Sequence, residues 1–184
     1  DMVRGLRMIT PAGTLDLGSF TLNRNAAGGG TFSVSNGATL IIGGTNSLPA
    51  NYNTTTFGAS STAVYGGDNQ TITAKTYGHL IVTGTTGNVV KTFPATAMTI
   101  AGNFSSTVGT ATSVTYNANA AITTTGNISI GASTTFNGGA ATHILAGHWT
   151  NDGTFNGNTS TVRFNRASGL ISGAGVQNFN NVTV

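Results

Sequence analysis

The sequence predicts an all-β chain wound as a parallel β-solenoid, and three observations carry that prediction. Short segments with period-2 alternation of apolar and Thr, Ser or Asn residues follow one another, separated by Gly-Gly, Asn-Gly and Asp-Gly turns. Similar phrases return at roughly 20 residues or multiples of it, the sign of stacked turns. Helix formers are scarce, since Glu is absent and charged residues make up 6% of the 184-residue chain, so helix content is expected to be close to nil. In a solenoid equivalent residues stack at about 4.8 Å. Charges repel at that spacing while Thr, Asn, Val and aromatic rings stack well, which accounts for the low charge. A β-sandwich or jelly-roll is the alternative architecture.

Taken in order, residues 1–12 form an irregular opening, read as an edge strand, a cap or a linker, and residues 13–184 form one continuous β-repeat domain. Leu15 and Leu17 share a face within 13–18, and Phe20 and Leu22 continue the alternation after a turn at Gly18-Ser19. Gly28-Gly29-Gly30 breaks the pattern, 31–34 resumes it, Asn36-Gly37 turns, and 38–42 follows. Further strands are expected at 62–65, 71–73, 79–82, 89–92, 98–100, 114–116, 121–124, 127–130, 134–137, 143–145, 161–165 and 181–184. Each is about 4–6 residues or less, a normal strand length.

The phrases repeat on two scales. Residues 99–104 (TIAGNF) echo 144–149 (ILAGHW), and 13–18 (GTLDLG) echo 126–131 (GNISIG). On the longer scale, 56–82 returns as 154–184, a super-repeat of about 100 residues. Both copies open on a Thr-Phe pair and run into a Ser-Thr strand ending on Tyr65 or Phe164. A short apolar-bearing run follows, and a second aromatic, Tyr77 or Phe179, opens the last strand. Tyr65 with Phe164, and Tyr77 with Phe179, are therefore expected at equivalent packing positions.

These phrases, with Gly43-Gly44-Thr45-Asn46-Ser47-Leu48-Pro49-Ala50, resemble in their order the large secreted β-strand-repeat surface proteins of Bacteroidetes-type bacteria. The resemblance spans 13–184. It implies an extracellular or cell-surface location, a long parent chain, export by a dedicated route such as type IX secretion, and a role in adhesion, surface filaments or matrix. Residues 1–10 find no counterpart. Leu48 and His79 stand where the resemblance expects an aromatic and an Asn.

Composition narrows the chemistry. Arg4, Arg7, Arg24, Lys75, Lys91, Arg163 and Arg166 are scattered, so the net charge of +3 makes no clustered basic footprint for nucleic acid. No apolar run approaches the ~20 residues of a membrane helix. No signal peptide opens the chain, and Asp1 leads the reading toward a slice of a longer protein. Cysteine is absent.

The acids are Asp1, Asp16, Asp68 and Asp152, too dispersed for a carboxylate pair or a calcium cluster. Asp16 and Asp152 read as turn residues that bond neighbouring backbone. His143 and His148, five apart, do not converge on a metal from a strand and turn, and read as surface or turn histidines. No GxSxG, Cys nucleophile or phosphate loop is present. The ten strand aromatics from Phe57 to Phe179 are expected as a stacked core ladder rather than a sugar platform. The Thr runs at 54–56, 71–73 and 123–125 are expected as outward strand residues rather than an ice-binding array.

No catalytic, cofactor or metal residue is therefore expected. The expected function is a non-enzymatic extracellular structural or adhesive repeat segment forming a stalk or fibre on the cell surface or in the matrix. Self-association end to end or laterally is the expected partnership, with glycans or other surfaces as further partners. The alternative is a carbohydrate-binding module on a solenoid scaffold.

Overall fold

The computed structural model describes residues 7–8 and 13–184. The expectation for the opening 1–12 lies outside the described residues, except that the backbone of β1 (Arg7–Met8) pairs with β3 (Thr31–Val34). The described chain is all strand, turn and loop, with no helix among the described residues. Every strand pair is parallel. That excludes a sandwich or jelly-roll, which rest on antiparallel hairpins, and makes the molecule a parallel β-solenoid.

One long sheet runs through the described chain, one strand from each of eight turns. Its members are β2 (Thr14–Asp16), β4 (Thr39–Ile42), β6 (Thr62–Tyr65), β9 (His79–Val82), β12 (Phe104–Ser106), β15 (Ile128–Ile130), β18 (Trp149–Asn151) and β21 (Ile171–Ser172). A second sheet holds β8 (Thr76–Tyr77), β11 (Met98–Ile100), β14 (Ile122–Thr124), β17 (Thr142–Leu145), β20 (Thr161–Phe164) and β23 (Asn181–Thr183). A third holds β7 (Gln70–Thr71), β10 (Asn88–Thr92), β13 (Ser113–Asn117), β16 (Thr134–Asn137), β19 (Thr154–Asn156) and β22 (Val176–Asn178). From Gln70 onward each turn visits third, second and long sheet in that order, so its cross-section is a triangle.

Before Gln70 the turns are simpler. A short sheet of β1, β3 and β5 (Thr54–Phe57) faces the long sheet, and loops occupy the remaining side. The second sheet takes over the face where the short sheet stops. The Phe57 and Tyr77 rings lie 4.8 Å apart, and a Cβ on Gly78 would fall 2.4 Å from the Gly58 carbonyl oxygen. Turn length varies around the expected value, from 17 residues between the paired Thr62 and His79 to 26 between Arg7 and Ser33.

The shorter echoes mark true structural equivalence. Ile100 and Leu145 lie on one column of the second sheet with Thr124 between them, and Phe104 and Trp149 on one column of the long sheet with Ile128 between them. The corner between these two sheets is a stack of glycines. A Cβ on Gly102, Gly126 or Gly147 would lie 2.9, 2.5 or 2.1 Å from the carbonyl oxygen of the glycine one turn below. Any side chain there would push the turns apart.

The super-repeat is corrected by the structure. Its copies match strand for strand, β5 to β9 against β19 to β23, but every strand of the second copy lies one face earlier in the winding. Tyr65 is on the long sheet and Phe164 on the second sheet. Residues 79–82 run along the long sheet, whereas β23 runs along the second. The phrase encodes strand length and in-out parity, which the three faces share. The face is set by the sum of variable turn lengths, which no local phrase carries.

The core is a continuous column of inward residues, each buried between the equivalent residues of adjacent turns. From Phe93 onward rings run through it in unbroken contact, including Phe93, Phe104, Tyr116, Phe136, Phe155 and Trp149, with neighbouring centroids 4.8–6.4 Å apart. Of the ten aromatics expected inside, eight are buried, and Phe57 and Phe179 are partly buried against the core. Phe20 is the exception to the alternation read at 20–22. It belongs to a loop and is 78% exposed, because no strand of the third face exists in that turn. Two inward threonines correct the expectation of outward ones, Thr55 on the column of Phe32 and Thr124. Thr124 is fully buried between Ile100 and Leu145, and its hydroxyl lacks a partner.

Candidate functional site

Side-chain ladders, each joining one turn to the next, are the chemistry the fold assembles. The first runs down the glycine corner. The Nδ1 of His79 accepts the N–H of Asn103 at 3.0 Å, Asn103 Oδ1 that of Asn127 at 2.9 Å, Asn127 Oδ1 that of His148 at 2.8 Å, and His148 Nδ1 that of Leu170 at 3.2 Å. Imidazole and carboxamide do the same work here, as acceptors beside glycines whose own backbone bonds run from Gly102 N to Gly78 O and from Gly126 N to Gly102 O. His79 thus occupies the position where the family resemblance expects Asn. Accepting through Nδ1 places the ring proton of both histidines on Nε2.

A second ladder lies on the outer face of the third sheet. Asn137 donates to Asn117 at 2.7 Å, Asn156 to Asn137 at 3.0 Å and Asn178 to Asn156 at 3.4 Å, amide to amide. Sequence reading did not single it out. The signal was present as Thr115-Tyr116-Asn117, Thr135-Phe136-Asn137 and Thr154-Phe155-Asn156, in which Thr and Asn face out and the aromatic faces in.

Buried polar groups complete the set. Lys91 is fully buried, and its Nζ donates to Gly67 O at 2.8 Å, Asp68 O at 2.7 Å and Gln70 Oε1. All three ammonium protons are used. Gln70 is equally committed, accepting from Gly67 N and donating to Ile42 O and Asn46 O. The pair sits where the third sheet begins and holds the loop that starts it. Burial lowers the Lys91 pKa to about 8, with the Asp68 carboxylate offsetting part of the effect. Period-2 alternation did contain this burial. Strand β10 must turn either Val90 or the set Val89, Lys91 and Phe93 inward, and two apolar residues outweigh one.

His143 overturns the surface reading. It is buried against Phe136, where Nε2–H donates to Gly138 O at 2.7 Å and Nδ1 accepts from Ile122 N at 3.3 Å. Both ring nitrogens are satisfied in the neutral form, so a core position is available to it. Burial pushes its pKa below the ordinary imidazole value. His143 and His148 face different surroundings and share no site. Asp16 caps its own turn through Gly18 N at 2.8 Å, and Asp152 accepts from Ala174 N at 3.1 Å. Asp68 accepts from the Thr85 and Thr86 hydroxyls, which hold its carboxyl below the usual range. Among the described residues no three His, Cys, Asp or Glu side chains come together in a metal-binding group.

Tyr65 and Tyr77 make a buried relay. Tyr65 OH lies 2.9 Å from Tyr77 OH, which donates to Thr73 O, while Thr73 N donates back to Tyr65 OH. Ser106, Tyr116 and Thr134 hydroxyls join likewise across the next corners. Burial raises the pKa of all three tyrosines.

The arrangement as a whole is that of a parallel β-solenoid repeat protein whose polar groups serve inter-turn pairing. Comparison with family models, curated proteins and solved structures gives no match.

Proposed function

We propose that this chain is a non-enzymatic extracellular repeat segment that builds a stalk or fibre at a cell surface or in a matrix. The observation that carries the reading is the commitment of its polar side chains to stacking. His79, His148, Lys91, Gln70 and the Asn ladder all bond the turn above or below. Such a design lengthens by repetition without altering any turn. The resemblance to secreted β-strand-repeat proteins supports the location.

We further propose end-on stacking of solenoid turns, onto a continuation of this chain or onto a second copy. The inward columns finish on Ile171 and Val182, 46% and 47% exposed, and β21, β22 and β23 are the terminal strands of their sheets. Parallel edges of this kind invite further pairing. Sedimentation velocity and electron microscopy of the purified chain test assembly with a second copy. Linear oligomers that shorten in Ile171→Lys and Val182→Lys support it, and monomers at all concentrations overturn it. Antibody labelling of intact source cells tests the location. Surface labelling is expected, and labelling only after lysis contradicts it.

A further inference from the structure

We propose that the outer face of the third sheet is the adhesive surface and that its ligand is an uncharged, extended polysaccharide. This rests on the adhesive half of the reading above. The three faces differ sharply. The central outward row of the long sheet passes from Ile41, Val64 and Ile81 to Ser105, Ser129, Thr150 and Ser172, so it is apolar in its early turns and polar in its later ones. The corresponding row of the second sheet is broken by Ile144 and Arg163. The later turns of the long sheet set Ser105, Ser129 and Thr150 beside Asn103, Asn127 and His148, whose side chains accept backbone N–H groups. The third sheet instead presents two adjacent polar rows in register, with amides that bond one another. One is Thr115, Thr135 and Thr154, and the other is the amide ladder from Asn117 to Asn178.

The chemistry of the two rows selects the ligand. Each carboxamide has two N–H donors and two acceptor lone pairs. Within the ladder Asn137 and Asn156 each spend one donor and one acceptor on neighbouring turns. One N–H and one lone pair per turn remain, beside a threonine hydroxyl that both donates and accepts. A sugar hydroxyl is the natural complement because it also does both. Neither row carries a charge, so phosphate, carboxylate and cationic ligands find no counter-ion. The ladder fixes the amides before binding, so little side-chain entropy is lost on contact. The sites repeat at the strand spacing of about 4.8 Å, so a chain ligand with a comparable repeat engages several turns at once. Individually weak contacts then sum. At one end the comb runs into a notch of about 340 Å³ lined by Asn156, Asn158, Asn178, Asn180 and the edge of Phe179, a mixture of amides and ring suited to a sugar.

One turn supplies its own controls, since Thr115, Thr123 and Ser129 face outward on the third, second and long sheets of the same turn. The test is co-sedimentation of the intact chain with insoluble cellulose, chitin and β-1,3-glucan. It compares the parent with Thr115→Lys, Thr123→Lys and Ser129→Lys, each checked for unchanged circular dichroism and melting temperature. Retention of the parent on at least one polysaccharide is expected, weakened about tenfold or more by Thr115→Lys and within about twofold of the parent for the other two. Equal loss in all three variants, or retention by none of the polysaccharides, overturns the proposal. So does shaping of ice crystals without polysaccharide retention, which would make the comb a water-ordering surface. Should retention fail while linear oligomers and surface labelling persist, the adhesive surface is wrong and the stalk stands.

Discussion

The turns before Gln70 and the turns after it solve one problem in two ways. Both must join successive turns and fill the space inside. After Gln70 three sheets do the joining through backbone, and the triangular lumen is filled by rings such as Tyr116, Phe136, Phe155 and Trp149. Before it the described residues form only two sheets. Their facing sides are filled by Val34, Leu40, Ile42 and Ala63 together with the rings of Phe32 and Tyr65, and Tyr52 and Phe57 pack against them. On the missing side, side chains replace the backbone ladder. Asn23 Oδ1 accepts from Ala50 N at 2.7 Å, Asn46 donates to Ser19 O at 2.9 Å, Asn51 to Arg24 O at 2.9 Å, and Tyr52 OH to Leu22 O at 3.0 Å. Asparagine therefore has two roles in this chain. On the strandless side and at the corners it bonds backbone, and on the outer face of the third sheet it bonds its own kind. Lys91 and Gln70 mark the boundary. They occupy the column that aromatics fill in later turns, paired as Gln70 to Lys91 to Tyr116.

The largest effect should separate the two cores. Phe136→Ala is expected to lower the unfolding free energy by about 4 kcal/mol, since a ring is lost from the widest part of the lumen, whereas Ile42→Val in the narrow part costs about 1 kcal/mol. Urea denaturation followed by Trp149 fluorescence measures both. Equal losses would contradict the placing of the Phe136 ring at the widest part of the lumen.

Much of this contrast was legible in the sequence. Period-2 alternation located the strands at 62–65, 79–82, 98–100 and 134–137 at their observed bounds, because within each strand polar or β-branched residues separate the inward ones. The corner phrases around Gly102 and Gly147 identified equivalent corners because only glycine fits the close approach there. The face of each strand was not legible. It depends on summed loop lengths, so Tyr65 and Phe164 looked equivalent and are not. Residues 20–22 looked like strand because Phe20 and Leu22 alternate, yet no partner strand exists on that side. The buried Lys91 and His143 were hidden by their ordinary preference for water. What admits them is a full set of hydrogen-bond partners contributed by other turns, which sequence proximity does not show.

The boundary itself should be the next most sensitive point. Lys91→Met leaves Gly67 O, Asp68 O and Gln70 Oε1 short of a donor and is expected to cost about 2 kcal/mol. The pH dependence has a defined sign. The folded Lys91 releases its proton near 8 while the unfolded chain holds its own to about 10.4. Between those values the unfolded state binds more protons, so stability rises with pH. Above about 10 the buried tyrosines oppose this, since the unfolded chain then loses phenol protons that Tyr65, Tyr77 and Tyr116 retain. Denaturation midpoints at pH 7.5 to 10 should climb in the parent and stay flatter in Lys91→Met.

A smaller effect belongs to the ring-filled region alone. His143 is neutral in the fold with its pKa lowered by burial. Below about pH 6.5 the unfolded imidazole takes a proton first, so stability declines as pH falls into the acid range. Val162 and Ile122 flank His143 on its column, and Arg163 next along β20 is a cation that cannot offset the charge. Thermal melts from pH 7 to 5 should show a decline that His143→Met reduces.

The smallest effect distinguishes the two roles of Asn. Asn46→Ala, which strips the Ser19 and Phe20 carbonyls of their donor, is expected to cost about 1 kcal/mol. Asn137→Ala removes amide contacts on a half-buried outer face and is expected to cost about half of that. Reversal of the order, read by urea denaturation, would assign the structural work to the outer ladder instead.

The central claim is that both regions belong to one stack, joined by a sheet that runs unbroken past the boundary. Residue-resolved hydrogen exchange measures this directly. The account predicts comparable protection of long-sheet amides on either side of Gln70, at Leu40 and Ala63 as at Leu80, Ile128 and Trp149, with loop amides near Arg24 and Asn53 exchanging faster. Amides of 39–42 and 62–65 exchanging as fast as those loops, while 128–151 stays protected, would contradict it.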